Sequence, residues 1–288
     1  MPLPSFAYAR PSKLDEALEL VAAGGRPLAG GQSLVAAMNL GRERPDRVID
    51  LNRIPELARI EETDDGLLIG ALVRLATLRE SDRTASQVPL LAAALRHVAH
   101  VQVRTRATVG GNLSQADPGS EIPAVTTALG ASYRLRSVRG ERWVPAAEYA
   151  TGPYRTCREP DEILTDVSIP MHAGVVAGFF EVTRKMKDWP IIGAGAQLRL
   201  RQGRIVDAWV AVCGAAGRPS KLSGVEEALV GSPAVPDVLA EAARLAGSAE
   251  DYPGARSGVA YRQHVLPVVV ERALLKSVEA GDLEEMAS

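Results

Sequence analysis

Thr108-Val109-Gly110-Gly111-Asn112-Leu113-Ser114-Gln115-Ala116-Asp117-Pro118-Gly119-Ser120-Glu121-Ile122-Pro123-Ala124 is the stretch on which the reading of this chain turns. Its glycine pair has a counterpart about eighty residues earlier, Leu28-Ala29-Gly30-Gly31-Gln32-Ser33. Each pair joins an apolar, strand-like stretch to a segment of helical character. A glycine pair removes two side chains where the chain turns sharply and permits positive φ, so that consecutive amides can line one concavity facing an anion. Ser33, Thr108 and Asn112 add further donors. Two such loops, far apart in sequence, suit the two phosphates of a dinucleotide. Neither matches G-x-G-x-x-G or G-x-x-x-x-G-K-[ST]. With 26 glycines in 288 residues, chance alone gives roughly 2.3 adjacent pairs, so spacing by itself leaves each pair readable as a plain turn or helix terminus. The third pair, Gly24-Gly25, is read that way because it ends a helix.

Composition narrows the class. The chain is long enough for one large domain or two modest ones with real cores. Hydrophobic residues make up 46% and charged residues 24%, ordinary values for a globular protein. A net charge of −2 gives no electrostatic case for nucleic acid or a membrane surface. No run reaches the length a membrane span needs. The opening Met1–Phe6 has neither a basic nor an apolar leader region, so a cytoplasmic location is expected. Cys157 and Cys213 are the only cysteines, too few for an iron–sulfur cluster, and read as small apolar residues. His97 and His100 sit three apart without a carboxylate or cysteine at matching spacing, so they read as helix-end or packing residues rather than metal ligands. Any redox chemistry must therefore rest on an organic cofactor.

Periodicity supplies the elements. Ser12 with Asp15 approximates a capping box ahead of the apolar stripe Leu14, Ala17, Leu18, Val21, Ala22. Pro27-Leu28-Ala29 reads as a short strand, Ser33–Asn39 as a helix, and Val48–Leu51 as a buried strand. Leu57–Glu61 and Leu67–Ala71 flank the hairpin signal Asp65-Gly66. Pro89–Val98 is a helix, residues 133–136 and 142–145 pair about Arg139-Gly140, and Ile163–Ile169 is a strand stopped by Pro170. From about residue 172, Ala196–Arg201 and Arg204–Val212 form an antiparallel pair about Gln202-Gly203. Helices over 225–230, 236–246 and 261–278 follow. Segregated strands and helices argue for an α+β class rather than a doubly wound sheet.

The words A-G-G-Q-S-L and T-V-G-G-N-L-S-Q-A-D-P-G-S-E-I-P-A, in this order and at this spacing, closely resemble the FAD-binding medium subunit of the molybdenum hydroxylases, the group of aerobic carbon monoxide dehydrogenase and xanthine dehydrogenase. The likeness runs from Phe6-Ala7-Tyr8-Ala9-Arg10-Pro11 to Tyr261-Arg262-Gln263-His264. It implies a two-subdomain FAD-binding fold of the PCMH/vanillyl-alcohol-oxidase type over residues 1–171, divided into 1–55 and 56–171, and an α+β C-terminal domain of the carbon monoxide dehydrogenase flavoprotein type over 172–288.

It also implies a set of cofactor residues. Leu28, Ala29, Gly30, Gly31, Gln32 and Ser33, with Ala107, Thr108, Gly110, Gly111 and Asn112, would hold the pyrophosphate of FAD. Gln32 stands where relatives often carry histidine, and no side chain is placed for covalent attachment, so the FAD would be non-covalent. Glu121 falls where an aspartate is common and would hydrogen-bond the cofactor; Leu164 would pack against it. Lys185 and Trp189 would lie beside the isoalloxazine, the lysine stabilising charge that develops on reduction and the indole covering a face. The family usually has glycine where this chain has Lys187. Tyr261 is read as packing and Arg262 as a salt-bridge or subunit-contact residue, neither catalytic.

The role implied is electron relay. A small iron–sulfur subunit with two [2Fe–2S] clusters would deliver electrons, and a large subunit with molybdenum cofactor would hydroxylate substrate. FAD on this chain would pass electrons to a quinone, oxygen or NAD, within a heterotrimer or a dimer of heterotrimers. Two other classes stay open: a stand-alone FAD-dependent oxidoreductase of the same fold, which an acid–base pair beside the flavin would favour and which the sequence does not show, and a non-catalytic nucleotide-binding assembly subunit.

Overall fold

The apolar stripe of the first helix, α1 (Leu14–Ala22), buries Leu14, Ala17, Leu18 and Val21, and Gly24 ends the helix with φ of +88°. The computed structural model describes residues 5–185 and 187–287; Met1–Pro4, read above for a leader, and Met186 lie outside the described residues. The α1 N-cap is Lys13, without a side-chain cap, so the Ser12 capping box does not form. Around α1 run three short strands, β1 (Ala7–Ala9), β2 (Arg26–Leu28) and β3 (Arg47–Asp50), with α2 (Leu34–Asn39) between the last two. They pair in parallel in the order β1-β3-β2. Strand and helix thus alternate within this first unit, with the carboxyl ends of β2 and β3 pointing one way.

Two 3-10 turns, Leu51–Arg53 and Pro55–Ala58, lead into β4 (Ile60–Thr63) and β5 (Gly66–Gly70). The hairpin strand therefore starts at Ile60 rather than Leu57, because Pro55 begins a helical turn. The helices α3 (Leu75–Glu80), α4 (Asp82–Gln87), α5 (Pro89–Leu95), α6 (Val101–Arg104), α7 (Val109–Gln115) and α8 (Glu121–Ala128) follow. Next come β6 (Ser132–Ser137), β7 (Gly140–Pro145), α9 (Ala146–Tyr149), the small pair β8 (Ala150–Gly152) and β9 (Arg155–Thr156), and β10 (Ile163–Pro170). The five-stranded antiparallel sheet has the order β4-β5-β10-β6-β7, with a bulge in β10 between Leu164 and Asp166.

The last part is built on β11 (Val175–Thr183), β12 (Pro190–Arg201), β13 (Arg204–Cys213) and β14 (Ser220–Lys221), an antiparallel sheet in that order. The helices α10 (Ser223–Leu229), α11 (Pro236–Ala243) and α12 (Val259–Ala287) complete it. Strand β11 escaped the sequence reading for a physical reason. Phe179 joins the core around α5 and α8, while Val176, Phe180 and Val182 pack on the opposite core with Leu266, Val269 and Val270 of α12. A strand covered on both faces loses the apolar–polar alternation that marks a half-exposed one. Among the described residues, no helix is long and apolar enough to cross a membrane.

Candidate functional site

The first glycine word leaves the carboxyl end of β2, and Asn52 follows the carboxyl end of β3, the side on which parallel sheets place their ligands. Here Gly31 takes φ of +76°, a conformation that favours glycine. The amides of Gly31, Gln32 and Ser33 donate to no acceptor among the described residues. Ser33 is the N-cap of α2. Gly30 is glycine because the other word comes in contact with it: a Cβ there would run into the carbonyl oxygen of Arg106 and stand 2.9 Å from Ala107 Cα.

The second glycine word is built differently from the expectation. Gly110 and Gly111 lie in the first turn of α7 and are not among the positive-φ glycines. Its amides are taken: Val109 donates to Val73 at 3.0 Å and Gly110 to Ala71 at 2.9 Å, while Gly111 donates to Thr108 Oγ1 at 3.1 Å. The correction to the concavity reading is therefore that only the first word keeps open amides. The second is zipped onto the connector between β5 and α3, and its glycines allow close approach. A Cβ on Gly110 would sit 2.5 Å from Ala71 Cβ, and one on Gly111 would point between Thr108 Oγ1 at 2.9 Å and Ala29 Cβ at 3.9 Å.

Both words line one cleft of about 1030 Å³, at the upper end of the range for ligand sites. Leu28, Ala29, Gly30, Gly31, Gln32 and Ser33 form one wall; Ala107, Thr108, Gly110, Gly111 and Asn112 form the facing one. Glu121 of α8 and Leu164 of β10 line it as well, as do Lys185 and Trp189 on the β11–β12 connection. All the residues that the resemblance implied for cofactor binding thus line one cavity. Trp189 remains 51% exposed, its ring under the Arg256 guanidinium at 4.8 Å. Lys187, where the resemblance leads one to expect glycine, adopts φ of +65°, the left-handed conformation a glycine would take without strain. Burial, reinforced by the charge of Arg104, holds its ammonium below the usual lysine range, and it donates to the Arg96 carbonyl.

Glu121 is 4% exposed. Burial, reinforced by the charge of Glu181, pushes its carboxyl up to about 8, so it is protonated at neutral pH and offers an O–H donor rather than a charge. Behind it, Glu181 pairs with His97 Nδ1 at 3.4 Å and keeps its Oε2 buried without a hydrogen bond. Neither Glu181 nor His97 is among the residues that line the cleft.

Two residues that sequence reasoning passed over hold the walls in register. Asn52 donates through Nδ2 to the Ala29 carbonyl at 2.9 Å. Arg74 reaches Asn52 Oδ1 at 2.5 Å and the Arg106 carbonyl. Neither sits in a motif; an arginine between apolar residues in Leu72-Val73-Arg74-Leu75 carries no local signal. The Tyr261 reading is corrected as well: Tyr261 is 45% exposed, whereas Arg262 is fully buried. Arg262 donates to the carbonyls of Gly214, Ala215 and Glu250 at 3.0, 2.8 and 2.7 Å. It also pairs with Asp251 Oδ1 at 3.9 Å, the salt bridge read from the sequence, and its chief work is to satisfy loop carbonyls inside the chain. No cluster able to hold a metal ion exists among the described residues.

Comparison with known proteins agrees with this geometry. Residues 4–172 match the family described as FAD binding domain in molybdopterin dehydrogenase, and residues 177–277 match the CO dehydrogenase flavoprotein C-terminal domain. The chain is 37% identical over 285 residues to the nicotine 6-hydroxylase medium subunit of Paenarthrobacter nicotinovorans, covering 98% of this chain and 99% of the relative. It is 32% identical to the carbon monoxide dehydrogenase medium chain of Afipia carboxidovorans, covering 94% and 96%. Among solved structures, carbon monoxide dehydrogenase from Hydrogenophaga pseudoflava superposes with a TM-score of 0.92 at 31% identity, covering 97% of this chain and 99% of that one. With one open-amide word and one close-packed word lining a single cleft and end-to-end likeness of sequence and fold, this chain belongs to the FAD-binding medium subunits of the molybdenum hydroxylases.

Proposed function

We propose that this chain is the electron relay of a molybdenum hydroxylase complex. In this reading residues 1–171, as subdomains 1–55 and 56–171, hold FAD non-covalently, and residues 172–288 form the C-terminal domain. The observation that carries it is the asymmetry of the cleft. Gly31, Gln32 and Ser33 line it with amides that have no protein acceptor among the described residues, whereas the amides of the second word are taken and its Gly110 is packed against Ala71 with no room for a side chain. Such a cradle suits a diphosphate, which needs several donors and close backbone approach. Asn112 and Thr108 add polar side chains to the same cleft. A neutral Glu121 can donate to the cofactor without repelling its phosphates. Leu164 supplies apolar contact, and Lys185 supplies positive charge to the cleft.

When bound, FAD supplies the exchange between one-electron and two-electron carriers. The chain's own part is to bind it, orient it and set the field around it. A small iron–sulfur subunit with [2Fe–2S] clusters would feed the site, a large molybdopterin subunit would carry out hydroxylation, and a quinone, oxygen or NAD would take the electrons. Assembly as a heterotrimer or a dimer of heterotrimers, in the cytoplasm, belongs to the same proposal. The test is a visible absorption spectrum of the purified protein with and without added FAD. Saturable one-to-one uptake is expected, and Gly30→Val, which drives a side chain into the Arg106 carbonyl, is expected to abolish it while far-UV circular dichroism is retained. A folded protein that takes up no FAD, alone or co-purified with its partners, would overturn the reading.

A further inference from the structure

Asp117 lines the cleft, yet its carboxylate is not free. Arg256, from the loop Tyr252–Gly258 ahead of α12, forks onto it, Nη1 to Oδ1 at 3.1 Å and Nη2 to Oδ2 at 2.7 Å. Both side chains are largely buried, at 14% and 6% exposure. The face of the same guanidinium lies over the Trp189 ring, 4.8 Å from its centroid. One cation from the C-terminal part therefore touches two walls of the cleft at once.

The turn it holds is the one that positions cleft residues. Asp117 Oδ1 also accepts the Gly119 amide at 2.9 Å, and Gly119 is glycine because a Cβ would stand 2.5 Å from Arg256 Nη1. Gly214, at the end of β13, donates to the Pro118 carbonyl at 2.7 Å. Ser120 Oγ then bonds Asn112 Oδ1 at 2.9 Å, and Glu121 opens α8. Ala116, just before, has φ of +46°, held in place by the Tyr154 amide donating to its carbonyl at 2.9 Å. A planar guanidinium can fork a carboxylate with its edge and stack an indole with its face simultaneously; an ammonium cannot. Without that cation, Asp117 would present an unpaired charge to the cleft.

We infer that Arg256 is a positioning residue for the cleft: through it the C-terminal part holds the Asp117–Glu121 turn, with Asn112 at its end, and the Trp189 indole in the arrangement that receives FAD. This rests on the FAD reading of the preceding subsection. The test uses R256K, R256M and D117N on the full chain, or on the assembled complex where the parent binds FAD only there. Two quantities are read: the FAD dissociation constant from flavin fluorescence, and Trp189 emission, isolated by subtracting W189F controls. R256K is expected to weaken FAD binding by about tenfold, the scale of one charge-assisted contact, and to change Trp189 emission. A purely structural role would lower the melting temperature without moving either. R256K that binds FAD as the parent does, with unchanged Trp189 emission, overturns the inference. A parent that binds no FAD overturns the preceding reading instead. Should R256M fail to fold, R256K and D117N decide the outcome.

Discussion

Glu121 has a protonation state that no inspection of its neighbours along the chain would give. It opens α8 after an aspartate, proline, glycine and serine, which by themselves read as a polar loop and helix start. Packing of α8 beneath the cleft removes water from it, and that desolvation is the larger cause of its raised affinity for a proton, with Glu181 second. The consequence for stability has a definite sign. Below about pH 4.5 the unfolded and folded chains both hold the proton, so the group contributes no difference. Between the ordinary value of 4.5 and the folded value of about 8, the unfolded chain releases the proton and the folded chain keeps it. Stability therefore falls as pH rises through that window and levels off above it. Melting temperatures measured from pH 5 to 8 are expected to show this decline in the parent and a flatter profile in Glu121→Gln; parallel profiles would show that Glu121 is not the group responsible.

At the scale of elements, the close fit of strand to helix decides where glycine is required. Gly178 in β11 faces α12 so tightly that a Cβ would stand 2.5 Å from both the Ala273 carbonyl oxygen and the Ser277 amide nitrogen. Those are backbone atoms and cannot swing aside. Gly178→Val is expected to push α12 off the sheet and to cost about 1–3 kcal/mol, the usual penalty for overpacking, read as a lowered urea midpoint. A midpoint within error of the parent would show that α12 shifts without loss. The same logic explains the N-terminus of α7. There Thr108 caps the helix through its hydroxyl, and the connector between β5 and α3 supplies the carbonyls that Val109 and Gly110 need. The Pro267 within α12 did not break the helix, because Leu266, Val269 and Val270 on either side are buried against β11 and β12, and packing offsets one lost backbone hydrogen bond.

For the whole molecule, the cleft is lined by residues from the parallel unit, the five-stranded-sheet region and the β11–β12 connection. A ligand that bridges them binds only the folded arrangement, so it must stabilise that arrangement by mass action. FAD at one hundred times its dissociation constant is expected to add about 2.7 kcal/mol, a rise of about 2–4 °C in melting temperature per kcal/mol for a chain of this size. FMN, lacking the adenylate, is expected to give a smaller shift at equal concentration. An equal shift from both would mean that the first glycine wall does not grip the far half of the dinucleotide.

How much of this was legible in the sequence depends on the range of the physics involved. Turn chemistry and periodicity act over a few residues, so α1, the hairpins about Asp65-Gly66 and Gln202-Gly203, the Ile163–Ile169 strand and the helices after residue 220 could be read directly, along with the glycine words that carry the family likeness. The sequence by itself determined the two glycine words and, through the family likeness they carry, named residues that line the cleft, because those words are local and specific. Only the tertiary structure decided what they do there. The carbonyls that occupy the Val109 and Gly110 amides lie some forty residues upstream, the cation on Asp117 lies 139 residues downstream, and the proton on Glu121 answers to burial by elements from both halves of the chain. Desolvation, close backbone approach and buried ion pairing come into being when distant segments meet, and no window along the chain contains them.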